Sequence, residues 1–240
     1  MRRRYFWGGW IVAVVLLIAL LIFPLRTTLT RLAIIALSGI SWFGLLIQTW
    51  RRSSLRVTLI AITVLLTTFI LLPSRSPIEP EQLREIYVNQ LRKFDNTPYV
   101  YGGENRIGID CSGLVRAGMF QALRIYGIKA FNSAALRCSL HLWWADCNAI
   151  DLGKGRTGDT IPINNGEFSK LSDHRMILPG DLAVTESGSH VLAYLGNETW
   201  IEAEPSVGRT HVFELTGQFA PLADERVRFV RWRWLAKTEQ

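Results

Sequence analysis

Cys111 stands in Gly108-Ile109-Asp110-Cys111-Ser112-Gly113-Leu114-Val115, just after the glycine-bearing run Tyr99-Val100-Tyr101-Gly102-Gly103. His190 follows 79 residues later, in Gly188-Ser189-His190-Val191-Leu192-Ala193-Tyr194-Leu195-Gly196. A thiol and an imidazole are the minimal pair for acyl transfer through a cysteine nucleophile. A thiol is a weak nucleophile until it loses its proton. The first turn of a helix favours the thiolate, through its partial positive charge and free N–H groups. The same N–H groups can bind the oxyanion formed on attack. Asp110 has the chemistry of an N-cap, which predicts a helix from Cys111 to about Tyr126 with Gly127 at its end.

A histidine alone is a weak signal, and His141, His174 and His211 carry no such partner in sequence. His190 differs because Gly196-Asn197 reads as a hairpin turn. A turn centred on Gly196 sets residue 202 opposite residue 190, and a slightly later centre makes them diagonal neighbours. Residue 202 is a glutamate, and a carboxylate beside an imidazole can fix its tautomer and stabilise its charged form. Cys138 and Cys147, nine residues apart in a helical pattern, would lie about 13 Å apart in one helix. That is too far for a disulfide, so both read as free thiols. No spacing resembles a zinc site, and no metal or cofactor is expected.

The elements that must position these groups follow from pattern. Pro80 fits a first helical position, and Leu83, Ile86, Tyr87, Leu91 and Phe94 recur at helical spacing from Glu81 to Phe94. Residues 95–110 read as loop. A second helical pattern runs from Asn132 to about Ala149, through Leu136, Leu140, Trp143 and Trp144. Residues 150–175 read as a loop-rich insertion. Short strands are expected at 181–185, 189–195, 199–203, 210–215 and 227–234, separated by Gly, Pro and Asn. Helices first and an antiparallel meander after make an α+β domain over residues 81–240.

Ahead of it, residues 1–75 hold nine arginines, no lysine and no acid. The other 18 basic residues face all 20 acids, a net of −2. The formal charge of +7 therefore belongs to the first segment alone. Its arginines punctuate three apolar runs, at about 6–25, 32–50 and 57–72, which read as transmembrane helices. Residues 76–80 read as a proline-rich linker. Arginines 2, 3, 4, 51, 52 and 56 against Arg26 and Arg31 place the N-terminus and second loop in the cytoplasm. If all three runs span, the soluble domain lies on the outer face of the membrane; if the short third run is instead a buried or interfacial helix, the domain is cytoplasmic. The bilayer is then a partner and nucleic acid is not. The C-terminal run Arg226-Val227-Arg228-Phe229-Val230-Arg231-Trp232-Arg233-Trp234 reads as an amphipathic strand rather than a nucleic-acid surface. Its break at Phe229-Val230 suggests a bulge.

Four motifs, in order, resemble the NlpC/P60 family of papain-like cysteine peptidases. They are Tyr99 to Gly103, Asp110 to Val115, Pro179-Gly180-Asp181-Leu182, and His190 to Gly196 with Ile201-Glu202-Ala203. The resemblance covers roughly residues 81–235. It implies a nucleophile helix packed on an antiparallel sheet and hydrolysis of amide bonds, usually between D-glutamate and a diamino acid in peptidoglycan stem peptides. By this match Cys111 is the nucleophile, His190 the base and Glu202 the residue that orients it. Tyr99 assists the backbone N–H of Cys111 at the oxyanion, and Asp110 and Ser112 touch substrate. Two departures stand out. The third position is commonly His, Asn or Gln, and the stretch around 130–175 is long. That stretch, which contains Trp143, Trp144, Lys154, Arg156 and Lys170, could wall the cleft and change the substrate. The departures keep two alternatives open: a thiol amidase or acyltransferase acting on a lipid-linked substrate, and a non-catalytic cell-wall-binding anchor.

Overall fold

The computed structural model describes residues 2–74, 76–167, 177–214 and 226–236. Three helices come first: α1 (Arg2–Ile22), α2 (Thr28–Thr49) and α3 (Ser53–Leu71). Two of them, α2 and α3, are long and apolar enough to cross a membrane, while the apolar part of α1, Phe6–Ile22, is shorter. No residue of α3 is buried, so its apolar side chains need an apolar environment from outside the protein. Helices α1 and α2 pack closely where Trp10 lies over Gly44: a Cβ added to that glycine would fall 2.1 Å from the indole. The indole N–H donates to the Ser41 carbonyl at 2.9 Å.

The second part is mixed. Helix α4 (Pro80–Arg92) and a short hairpin, β1 (Glu104–Asn105) and β2 (Gly108–Ile109), lead into α5 (Cys111–Lys129). Then come α6 (Ser133–Trp144), α7 (Ala149–Lys154) and β3 (Thr160–Glu167). The chain finishes with β4 (Leu182–Thr185), β5 (Val191–Gly196), β6 (Thr199–Glu204), β7 (Arg209–Glu214), β8 (Arg226–Trp232) and a 3₁₀ turn at Arg233–Leu235. The six-stranded sheet runs β3-β8-β4-β5-β6-β7, and all its pairs are antiparallel. Helix α5 packs on one face, with Leu114, Val115 and Met119 joining Val191, Ala193, Ile201 and Val230 in one apolar core. Helix α4 lies against α5, and the Tyr87 hydroxyl donates to the Val115 carbonyl at 3.2 Å while accepting from the Trp232 indole at 3.0 Å. The other face of the sheet carries Leu192, Tyr194, Trp200, Phe213 and Phe229.

Several sequence expectations change. The helical pattern from 132 to 149 breaks after Trp144, and α7 starts afresh at an Asn148–Asp151 capping box. The loop-rich reading of 150–175 misses α7 and the edge strand β3; residues 168–175, with Lys170 and His174, lie outside the described residues. Helix α5 runs past Gly127 to Lys129. That glycine is a contact site instead of a cap, since a Cβ there would meet Leu136 at 2.8 Å. Strand β8 has no bulge at Phe229-Val230, because both faces of the sheet are apolar there: Phe229 joins one cluster and Val230 the other. The register shift at that level lies in β3, between Pro162 and Asn164.

Candidate active site

The nucleophile turn is built by Asp110. Its backbone is extended, and its carboxylate accepts from Gly113 N at 2.6 Å, from Ser112 Oγ at 3.0 Å and from Gly102 N at 2.7 Å. One side chain thus caps α5 and latches the preceding glycine turn to it. Gly113 is required by the same contact: a Cβ there would sit 2.0 Å from the Gly103 carbonyl. Cys111 opens the helix, half-buried, at the wall of a cleft of about 700 Å³ that Tyr99, Asp110 and Ser112 also line. Asp110 and Ser112 therefore reach the cleft, but the Asp110 oxygens are occupied by its own chain.

His190 directly precedes β5. The turn before it is fixed by Thr185, whose N–H donates to the His190 carbonyl at 3.1 Å and whose Oγ1 accepts from His190 N at 3.0 Å. The imidazole Nε2 lies 2.7 Å from Glu202 Oε2, and Glu202 is fully buried, at 0% exposure. With Nε2 turned to the carboxylate, Nδ1 is the nitrogen left for the Cys111 thiol, which is near enough to act on the imidazole. Burial alone would push the imidazole pKa down. The bonds to Cys111 and Glu202, with the charges they carry, outweigh it and raise the imidazole to about 10. Tyr99 is pushed up to about 12, first by burial and then by negative charge on Cys111 and Asp110.

The register is the later-centred of the two expected ones. Ala193 pairs with Ile201, and the tight turn falls at Asn197 and Glu198, both at positive φ. Residue 190 therefore extends toward residue 204, and Glu202 is its diagonal neighbour. The parity is unchanged, so His190 and Glu202 still share a face. Sequence reasoning missed His211. It stands directly across from Glu202 in the β6–β7 register, with its Nε2 3.4 Å from Glu202 Oε1. The buried carboxylate thus lies between two imidazoles. The signal was the Pro205-to-Gly208 turn, which sets 202 against 211. Glu204 approaches His190 Nε2 at 3.6 Å. Among the described residues His190, Glu202 and Glu204 place ligand atoms within 4.8 Å of one another. A cation there would have to displace the 2.7 Å His190–Glu202 bond.

The far wall of the cleft comes from two places. One lies within the long stretch around 130–175, as expected: the loop before α7, through Asp146, Cys147 and Asn148, where burial raises the Cys147 thiol to about 11. Within that stretch Trp143, Trp144, Lys154 and Arg156 do not line the cleft. The other is the α1–α2 turn, through Leu25, Arg26 and Thr27. Behind it Glu104 joins the two parts of the chain: its Oε1 takes Arg31 of α2 at 2.9 Å and Arg116 of α5 at 2.7 Å. Burial raises the Glu104 pKa, and the two arginines oppose that.

Pro179-Gly180-Asp181-Leu182 serves the frame. The buried Asp181 accepts from Arg231 Nε and Nη2, each at 2.7 Å, and from Leu178 N at 2.7 Å.

Solved structures similar to the chain include NlpC2 from Trichomonas vaginalis, at 20% identity and TM-score 0.41, covering 65% of this chain and 48% of that one. The NlpC/p60 domain of the peptidoglycan hydrolase SagA has 23% identity and TM-score 0.35, covering 60% and 97%. The peptidoglycan hydrolase RipB from Mycobacterium tuberculosis has 19% identity and TM-score 0.37, covering 66% and 67%. The chain spans about half the length of the Trichomonas protein. No curated protein matches it. The family model for NlpC/P60 matches residues 96–221, more than half of the 240 residues and the stretch that holds Cys111, His190 and Glu202. The chain belongs to the NlpC/P60 family, which includes peptidoglycan hydrolases.

Proposed function

We propose that this protein is a membrane-anchored cysteine hydrolase that cuts an amide bond in peptidoglycan stem peptides, of the D-glutamyl–diamino acid type. The observation that carries this reading is the His190 imidazole, whose Nε2 lies 2.7 Å from the buried Glu202 carboxylate while the Cys111 thiol at the start of α5 is near enough to act on the same ring. The Cys111 thiolate adds to the peptide carbonyl carbon. The N–H groups of Cys111 and Ser112 receive the oxyanion, since Asp110 already takes those of Gly113 and Leu114. Tyr99 stands beside them. The C–N bond breaks as the amine leaves with the proton from His190. A thioester remains. Water then adds to it with His190 taking its proton, the C–S bond breaks, and the thiolate–imidazolium pair returns.

The same reading puts α1, α2 and α3 across a bacterial plasma membrane, with the N-terminus cytoplasmic and the domain outside. The two outer arginines are consumed by the fold: Arg26 donates to the carbonyls of Leu20 and Leu21 at 2.7 and 2.8 Å, and Arg31 is bound by Glu104. Arg51 and Arg52 at the other end remain exposed to meet the cytoplasmic surface.

The test is the full chain in detergent, incubated with cell-wall peptides beside Cys111→Ala and read by mass spectrometry. Shortened stem peptides from the wild type alone are expected. Intact peptides from both, on every form of substrate tried, would sink the reading and favour a wall-binding anchor.

A further inference from the structure

The α1–α2 turn is stitched to the nucleophile turn along the backbone. Leu25 forms an antiparallel bridge with Gly103, Glu104 N donates to the Pro24 carbonyl at 3.0 Å, and Asn105 Nδ2 donates to the Ile22 carbonyl at 2.8 Å. Arg31 lies 1% exposed inside the joint. A second joint holds the end of α3: Arg137 Nη1 donates to the carbonyls of Ile70 and Leu72, each at 2.7 Å, and Ser133 Oγ donates to Leu72 at 2.8 Å. The linker is docked too, through Asn132 Nδ2 on the Ser76 carbonyl at 2.9 Å. Helix α6 runs between the two joints. It starts at Ser133 beside the end of α3, and the Trp144 carbonyl at its far end accepts from Arg31 at the start of α2. Its 12 residues reach about 18 Å.

The same ends of α2 and α3 thus carry α6, the α1–α2 turn and the catalytic cleft. Phe131 is 81% exposed, Leu140 50% and Trp144 48% along this helix and its approach. Large apolar and indole side chains at the level where spanning helices end match a membrane–water interface. A tethered domain on a free linker could reach into the wall, but this one is fixed at three points.

We infer that the cleft works at the bilayer surface on a membrane-borne substrate: a peptide amide whose carrier is a lipid chain embedded in the same membrane. This rests on the hydrolase reading above and specifies its substrate. The α1–α2 turn supplies the cleft wall at Leu25 and Thr27, α6 lies in the headgroup layer, and the lipid chain remains in the bilayer while its peptide enters beside Cys111. Polymeric wall beyond the membrane surface is out of reach.

The experiment uses the full chain in vesicles containing phosphatidylglycerol. One substrate is a γ-D-glutamyl–diamino acid peptide joined to a hexadecyl chain in the same vesicles. The others are the free peptide and isolated polymeric wall. The expected result is a kcat/KM at least tenfold higher for the lipid-borne peptide, with a rate that follows its mole fraction in the bilayer. Leu140→Ser with Trp144→Ser should shrink that preference while Cys111 still labels with iodoacetamide. Equal cutting of free and lipid-borne peptide, or faster cutting of wall, overturns the inference and leaves the hydrolase reading standing. Cutting of none overturns both.

Discussion

Replacing Glu202 with glutamine tests the electrostatics of the site most directly. The substitution keeps the shape and an acceptor oxygen for His190, and removes only the charge. In the wild type His190 titrates at about 10. In the proposed mechanism the imidazolium is the acid that protonates the leaving amine, so activity should hold into alkaline solution and fall through about pH 10. Two opposite charges about 4 Å apart at an effective dielectric of about 20 interact by about 4 kcal/mol. At 1.36 kcal/mol per pKa unit that is an upper limit of roughly 3 units, and pairs of this kind usually shift a pKa by about 1–3 units. Glu202→Gln should therefore bring the alkaline limb down by about 1–3 units, read from kcat/KM against pH on the full chain. An unmoved limb with a lower plateau would mean that Glu202 acts only as a spacer, and the charge argument would fail. Stability should follow the same sign. A histidine held above its ordinary 6.5 gives its full contribution below pH 6.5 and loses it as pH rises through about 10. Unfolding midpoints of wild type and Glu202→Gln should therefore converge at the alkaline end of that window.

His211→Phe removes the imidazole that faces the second Glu202 oxygen. It should cost about 1–3 kcal/mol in chemical unfolding, and His211→Gln, which keeps a donor, should restore most of it. Glu104→Ala removes the carboxylate that Arg31 and Arg116 share, leaving them Asp146 at 3.8 and 3.7 Å and the carbonyls of Trp144, Leu142 and Ala145. A loss of about 3–5 kcal/mol is expected, together with faster proteolysis at the α1–α2 turn; an unchanged unfolding temperature would refute the joint. Gly113→Ala should cost about 1–3 kcal/mol and most of the activity, because a Cβ meets the Gly103 carbonyl at 2.0 Å, while Gly8→Ala, with nothing within 4 Å, should do neither.

What the sequence made legible was local. Asp110 caps α5 as its type and place require, and Pro80 opens α4. Glu202 was legible as the partner of His190 under either turn centre, because an alternating strand keeps its faces under a shift of that parity. Asn197 and Glu198 both take positive φ, which a glutamate gives no warning of. Strand β3 was illegible for a different reason. Its Asn164-Asn165-Gly166 has poor strand propensity, and it is held by β8 alone at the sheet edge. His211 looked ordinary because its importance lies in what stands across the sheet. The joint at Glu104 depends on Arg31, 73 residues away, and no periodicity within either segment points to it.

That joint changes what the anchor is. Gly102 and Gly103 are held from one side by Asp110, which belongs to the nucleophile turn, and from the other by Leu25 and Arg26. The second of these contacts sits close to the end of the apolar segments, so a change in the tilt of α1 against α2 pulls on the same backbone that positions Cys111. Thr27 also caps α2, with its Oγ1 accepting from Thr30 N at 3.3 Å, and lines the cleft. A single residue thus fixes where the second helix begins and where the substrate wall stands. Helices α1 and α2 cannot be exchanged for an unrelated helical pair without opening one side of the cleft. The packing of these helices and the shape of the cleft are consequently one structural property of this chain.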